Sequence, residues 1–263
     1  MKRCIACGRP IGANRTDEHV LAQWLLDDLG MRREDVFHGI GNNTTLSVEH
    51  TRIYVLDKFV QGNVCGSCNS GWMSRLEADV KPIIRPIVRG ERPVFTLGDR
   101  EREVVSRWTL KTSIVLTHAV MLKQPRGLDH IRHLYLHGTM PTDVGIFAMQ
   151  YPRTERFSYF QRNSWINAAP PGTPPPPPET SYKVAFQVGD LLLLAAYPDI
   201  ALAQFILCAG MHIPLWPLSD FYASHSKPLA LNQELTSHGM LQIFNDGLGV
   251  LHTPAQILSV DKK

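Results

Sequence analysis

The sequence predicts an α+β protein in two parts: a cysteine-rich unit over residues 1–90 and a larger α+β region over residues 91–263. Three observations carry that expectation. Two C-x2-C pairs, Cys4/Cys7 and Cys65/Cys68, both fall in the first part. Residues 100–123 show sustained helical periodicity. Apolar runs of strand length, bounded by turn residues, follow at Val144–Met149, Val184–Phe186 and Leu191–Leu194. With 263 residues, 44% hydrophobic and 19% charged, the chain has enough apolar mass for a sizeable core, which excludes a disordered or fibrous protein. The formal charge of +3 permits a nucleic-acid partner without requiring one. Five cysteines are too few for a disulfide scaffold at this length, so metal ligation in a reducing, cytoplasmic compartment is expected. No apolar run follows Met1-Lys2-Arg3-Cys4, so no signal peptide is expected.

In order along the chain, Cys4 to Pro10 reads as a knuckle, with Gly8 letting backbone amides turn toward the sulfurs. Val20 to Leu26 is a short apolar segment, a strand or one helical turn. Gly39 to Asn43 reads as a turn, and Thr44 to Val60 has β-type composition with alternation around Ile53, Val55 and Phe59. After the second knuckle, Asn69 opens a helical pattern through Trp72, Leu76 and Val80, which Pro82 and Pro86 are expected to kink or break. Residues 100–123 form the strongest helix, with Val105, Trp108, Val115, Ala119 and Leu122 on one face and Pro125 closing it. Arg100, Arg107, Lys111 and His118 lie on another face; the stripe of the last three reads as solvated, with tracking a backbone as the alternative. A second helix is expected from Leu128 to Leu136, and a hairpin turn near Gly189-Asp190. The prolines of residues 170–178 form a linker or long loop. Leu191 to Gly210 is the longest apolar stretch. Tyr197-Pro198-Asp199 at its centre argues against a membrane span, so it reads as strand, turn and then a helix from Ile200 to Ala209. A last strand is expected at Leu241–Phe244.

The paired C-x2-C motifs signal a four-thiolate zinc site, because two intervening residues let both sulfurs approach one ion at ~2.3 Å from a single turn. The long stretch between the pairs is tolerable, since closure entropy grows by only ~0.6 kcal/mol per doubling. Two unrelated C-x2-C pairs are the alternative.

The order of residues around the cysteines says more. Glu18-His19 follows the first pair, Asn63 stands two residues before the second, and Asn69 directly follows it. This order resembles the HNH endonuclease family, whose ββα-metal site sits on such a cysteine clamp. The segments "EHVLAQWLL" and "NVCGSCNSGWMSRLE" are similar to a bacterial subgroup with Glu-His-Val, a nearby Trp-Leu and Cys-Asn-x-Gly-Trp-Met. The resemblance covers roughly residues 1–80. It implies an N-terminal zinc-clamped ββα-metal (HNH) domain over residues 1–90, followed by a C-terminal α+β domain over 91–263. The activity it implies is metal-dependent hydrolysis of DNA phosphodiesters. His19 would be the general base, Glu18 and Asn69 the ligands of a catalytic Mg²⁺ or Mn²⁺, and Asn63 the holder of the loop that orients His19. Cys4, Cys7, Cys65 and Cys68 would bind structural Zn²⁺. The implied partner is DNA, not a membrane, with a homodimer where both strands are cut. Two positions depart from the pattern: Glu18 stands where many relatives have Asp or His, and Trp72-Met73 where compact members carry a basic residue, leaving Arg75 as the phosphate contact.

The chemistry fits these residue types on its own terms. Phosphodiester hydrolysis needs a deprotonated water, and histidine accepts protons near neutral pH. It also needs an ion at the departing oxygen, and Glu18 and Asn69 offer hard oxygen ligands. Each residue has a plainer role too: Glu18-His19 as surface, Asn69 as a helix cap, Asn63 as a turn. The alternative function is a zinc-stabilised nucleic-acid or protein binding module with an inactive nuclease site. The insert from Asp27 to Val60, with Arg32, Arg33, Arg52 and Lys58, reads either as a DNA-contacting hairpin or as a solvated decoration. His130, His133 and His137 read as surface histidines, Cys208 as a buried small hydrophobe, and Trp165, Tyr197 and Trp216 as anchors.

Overall fold

The computed structural model describes residues 2–12, 14–42, 47–120, 126–152, 157–161, 166–167, 181–199, 204–207, 211–217, 223–224 and 237–251. The expected Leu122 and Pro125 end of the long helix, the proline run at 170–178, Trp165 and Cys208 lie outside them. The cysteine-rich part contains β1 (Arg15–His19), α1 (Gln23–Asp28), β2 (Asp35–Asn42), β3 (Ser47–Val55), β4 (Val60–Cys65) and α2 (Ser74–Val88). Next come α3 (Asp99–Ala119), α4 (Leu128–His137), β5 (Gly145–Gln150), β6 (Phe157–Gln161) and β7 (Ile166–Asn167). The chain continues through β8 (Tyr182–Val188), β9 (Leu191–Tyr197), β10 (Gln204–Leu207), β11 (Ile213–Trp216), β12 (Ala223–Ser224), α5 (Ser237–Asp246) and β13 (Gly249–Leu251). The class is mixed α+β, and no described helix is long and apolar enough to cross a membrane.

The centre is an antiparallel sheet of order β11-β5-β9-β8-β6. Leu191, Leu193 and Ala195 of β9 face one buried cluster with Trp108 and Val115 of α3. Leu192, Leu194 and Ala196 face another with Met240, Leu241 and Phe244 of α5. Covering both faces explains the unbroken apolar run, since alternation disappears when neither face meets water. The first cluster also holds Cys4, Val64, Val80 and Ile84, so residues on both sides of position 90 share one core. At the β8–β9 turn, Gly189 has φ +56° and lies so close to the Val88 carbonyl that no Cβ would fit, locking the hairpin to the end of α2.

Several elements differ from expectation. Pro82 and Pro86 do not break α2, which continues to Val88. Both prolines lie away from the stripe Leu76, Val80, Ile84 and Ile87, and the carbonyls deprived of donors belong to Ala78 and Pro82, exposed to water. Residues 204–207 are strand rather than helix, with Phe205 and Leu207 buried at alternate positions. Leu241–Phe244 is helix rather than strand, because Met240, Leu241, Phe244 and Leu248 share one face. Gly39 to Asn42 belongs to β2 rather than to a turn. His130 is buried, its Nδ1 lying 2.8 Å from the Tyr182 hydroxyl. The helix α3 runs through the interior with Ser106, Thr109, Lys111, Thr112, Ser113 and Thr117 all buried, so its basic stripe is not a solvated face.

His118, near the end of α3, is pushed down to about 4 by burial. A histidine with a lowered folded-state pKa favours the folded protein above its unfolded value of 6.5 and loses that contribution as the pH falls toward 4. The wild type is therefore expected to lose about 2 kcal/mol more stability between pH 7 and pH 5 than His118→Gln, read from urea unfolding. Parallel pH–stability curves would refute this.

Candidate metal centre and active site

The sulfurs of Cys4, Cys7, Cys65 and Cys68 all lie within 4.8 Å of one another, and Cys7 and Cys65 are 3.7 Å apart. Four thiolates at ~2.3 Å from a shared tetrahedral centre stand about 3.8 Å apart, so the donor set and spacing fit zinc. All four cysteines are free, and three of them are buried. Local backbone geometry makes the cluster. Gly8 has φ +71°, and its N–H donates to the Cys4 carbonyl at 2.9 Å, closing the first knuckle. The Ile5 N–H donates to the Asn63 carbonyl at 2.9 Å, docking that knuckle on β4. Cys68 donates to Cys4 and pulls its thiol down to about 4, with the amides of Cys7, Cys65 and Ala6 assisting against the cost of burial. The same bond to Cys4, with burial, pushes the Cys68 thiol up, and burial pushes Cys65 up, so metal ligation would have to release their protons.

The cluster lies where β1, β4 and the start of α2 meet. Strands β1 and β4 pair antiparallel, Glu18 opposite Gln61 and His19 opposite Val60, with a bulge between Thr16 and Glu18. The chain leaves β4 through one turn at Gly66–Cys68, kinks at Gly71 (φ −91°, ψ −110°), and then enters α2. The Asn69 side-chain amide donates to Thr16 Oγ1 and to the Asp17 carbonyl, both at 3.2 Å, which leaves its Oδ1 as an acceptor. Asn69 is thereby fixed to β1 two residues from His19.

His19 is half-buried, and its Nε2 lies 3.2 Å from the Asp57 carbonyl. A carbonyl only accepts, so it selects the tautomer protonated at Nε2 and leaves the Nδ1 lone pair available. The Gln23 side-chain amide is also 3.2 Å from Nε2 and, turned over, presents its oxygen to the same hydrogen. The Asp57 carbonyl is the ring's backbone contact, and the Asn63 backbone carbonyl accepts from Ile5 of the first knuckle. Glu18 is 4% exposed and faces inward, where Lys111 of α3 donates to its Oε1 at 2.9 Å and to Glu77 Oε1 at 2.8 Å. Burial would push the Lys111 ammonium down, but the Glu18 and Glu77 charges outweigh it and hold it above its ordinary value. Sequence reasoning missed Lys111 and Glu77. The lysine faces partners far away along the chain, and a cation at helical spacing reads as solvated.

A cleft of about 230 Å³ beside β1 is lined by Lys2, Ile11, Gly12, Arg15, Gly62 and Asn63. The Arg15 guanidinium sits over Gly62, where a Cβ would make it move aside. The nearest carboxylate to it, Asp17, is 3.8 Å away, and both side chains are more than half exposed, so the pair is weak. Elsewhere, Arg32 is committed to Asp27 and Asp57, which removes it from the charge available on the insert.

Purified chain is expected to carry zinc by elemental analysis. Cobalt substitution should give the spectrum of a tetrahedral thiolate site, and Cys65→Ser should lower both metal content and melting temperature. Equal zinc content in wild type and variant would sink the assignment. Compared with known protein families, with curated proteins and with solved structures, the chain gives no match.

Proposed function

We propose that this chain is a zinc-stabilised, metal-dependent endonuclease of the HNH type that hydrolyses phosphodiester bonds in DNA. The observation that carries the reading is the bond from Asn69 to the β1 backbone, which sets the start of the helix beside the strand bearing His19. His19 acts as general base through Nδ1, with the Asp57 carbonyl holding its ring. Asn69 Oδ1 and the Glu18 oxygen not taken by Lys111 are the hard ligands for Mg²⁺ or Mn²⁺. Such ions are held by one or two protein oxygens with water and phosphate completing the set. That small demand agrees with the cysteines being the only convergent group of three or more His, Cys, Asp or Glu among the described residues. When bound, the ion would stabilise charge on the departing oxygen. The cleft beside β1, with Lys2 and Arg15, is the proposed seat for the DNA backbone.

One observation favours a second reading, a zinc-stabilised binding module with an inactive site. Glu18 is nearly sealed from solvent and already neutralised by Lys111. Binding without cleavage separates the two.

Incubated with plasmid and Mg²⁺ or Mn²⁺, the wild type is expected to nick DNA, and His19→Ala to slow nicking by about 10²–10⁴-fold with zinc retained. Salt-dependent DNA binding with no cleavage under any divalent ion would establish the binding module instead. Replacing Lys2 and Arg15 together by Ala should weaken DNA binding and reduce the slope of log K against log salt by about 2, at ~0.9 per phosphate contact. An unchanged slope would remove the cleft from the DNA path.

A further inference from the structure

We propose that Lys111 is a positioning residue of the His19 site, supplied by the long helix of the 91–263 region. Its Nζ is fully buried and bridges Glu18 of β1 at 2.9 Å and Glu77 of α2 at 2.8 Å. His19 directly follows Glu18 on β1, so holding Glu18 fixes the rotation of the strand and with it the direction of His19. Glu77 lies on the helix that follows Asn69, so the same ammonium also sets that helix against β1. The cysteine cluster joins these elements at one end, where Thr16 faces Val64 and Arg15 faces Cys65, and Lys111 joins them at the other. The cysteines thus tie the loop before β1 to β4, and Lys111 ties β1 to α2, so the rotation of β1 is set from both ends. A buried charge cluster is costly unless its geometry is well satisfied, so its presence here needs an account beyond stability. Two carboxylates against one ammonium leave a single net negative charge, and Glu18 and Glu77 have side-chain exposures of only 6% and 22%. An apolar residue at position 111 would leave Glu18 and Glu77 without a countercharge, and Glu18 with nothing to orient it.

The role rests on the nuclease reading for its kinetic readout, while a second readout does not depend on it. Full-length, zinc-loaded wild type is compared with Lys111→Met and with Lys111→Met/Glu77→Gln. The double variant keeps the net charge of the wild-type cluster, so it remains informative where the single variant fails to fold. Expected for both are unchanged zinc content and KM for DNA, with kcat reduced at least tenfold. The His19 ring resonances, assigned by difference with His19→Gln, should be displaced in both. A double variant with wild-type kcat and wild-type His19 resonances would show that Lys111 only balances charge, and the proposal would fall. A wild type that cleaves nothing would overturn the nuclease reading alone. The His19 resonances would then still decide the positioning role, since unmoved resonances overturn it.

Discussion

The site depends on bringing residues from the start of the chain to residues more than fifty positions later, and the four-cysteine cluster meets that constraint. Cys4 and Cys7 lie on a loop that makes little structure of its own, and Cys65 and Cys68 lie where β4 turns into a helix. Once the sulfurs converge, the first knuckle docks on β4 through the Ile5–Asn63 bond, β1 pairs with β4, and Asn69 meets β1. A single two-stranded ladder is marginal in water. Here it is held between the sulfurs and the core against α3, which is why so short a pair can carry a defined arrangement of side chains.

The second organising feature is α3. Most surface helices bury one stripe, whereas this one is covered nearly all round, by the sheet on one side and by the β1–β4 ladder and α2 on the other. Trp108 packs edge-on against Phe186 of the sheet, while Lys111 turns to Glu18 and Glu77. The same three-layer logic places Lys183 on the far face of the sheet, where its buried ammonium donates to the Asn245 and Leu248 carbonyls at the end of α5. A cation there satisfies carbonyls that have no partner within the helix.

Much of the frame was legible from local pattern. The knuckles, α3, α4 and the β8–β9 hairpin follow from spacing, periodicity and turn residues that act over a few positions. The errors fall where local signals are ambiguous. Four apolar or amphipathic residues, as at 204–207 and 241–244, serve a strand or a helix equally well, and tertiary packing decides. Within the site, the sequence marked Glu18, His19, Asn63 and Asn69 but could not show where each turns. It did not reveal that Asp57 offers only a carbonyl to His19, because backbone contacts leave no trace in residue type. Nor did it reveal that Lys111 is internal, because its burial is a property of two distant carboxylates rather than of its own neighbours.

The common core on both sides of residue 90 bears on how such a protein can change over time. Val80, Ile84 and Val64 from the early segment and Trp108 and Val115 from the later one occupy one buried cluster. An N-terminal segment cut off at residue 90 would leave that apolar surface and the carboxylates of Glu18 and Glu77 without cover. The smallest portion that gene duplication or fusion can move intact therefore extends through α3. By contrast, the β2–β3 hairpin is inserted between β1 and β4, which pair directly with each other, so it is an addition to the ladder rather than a part of it.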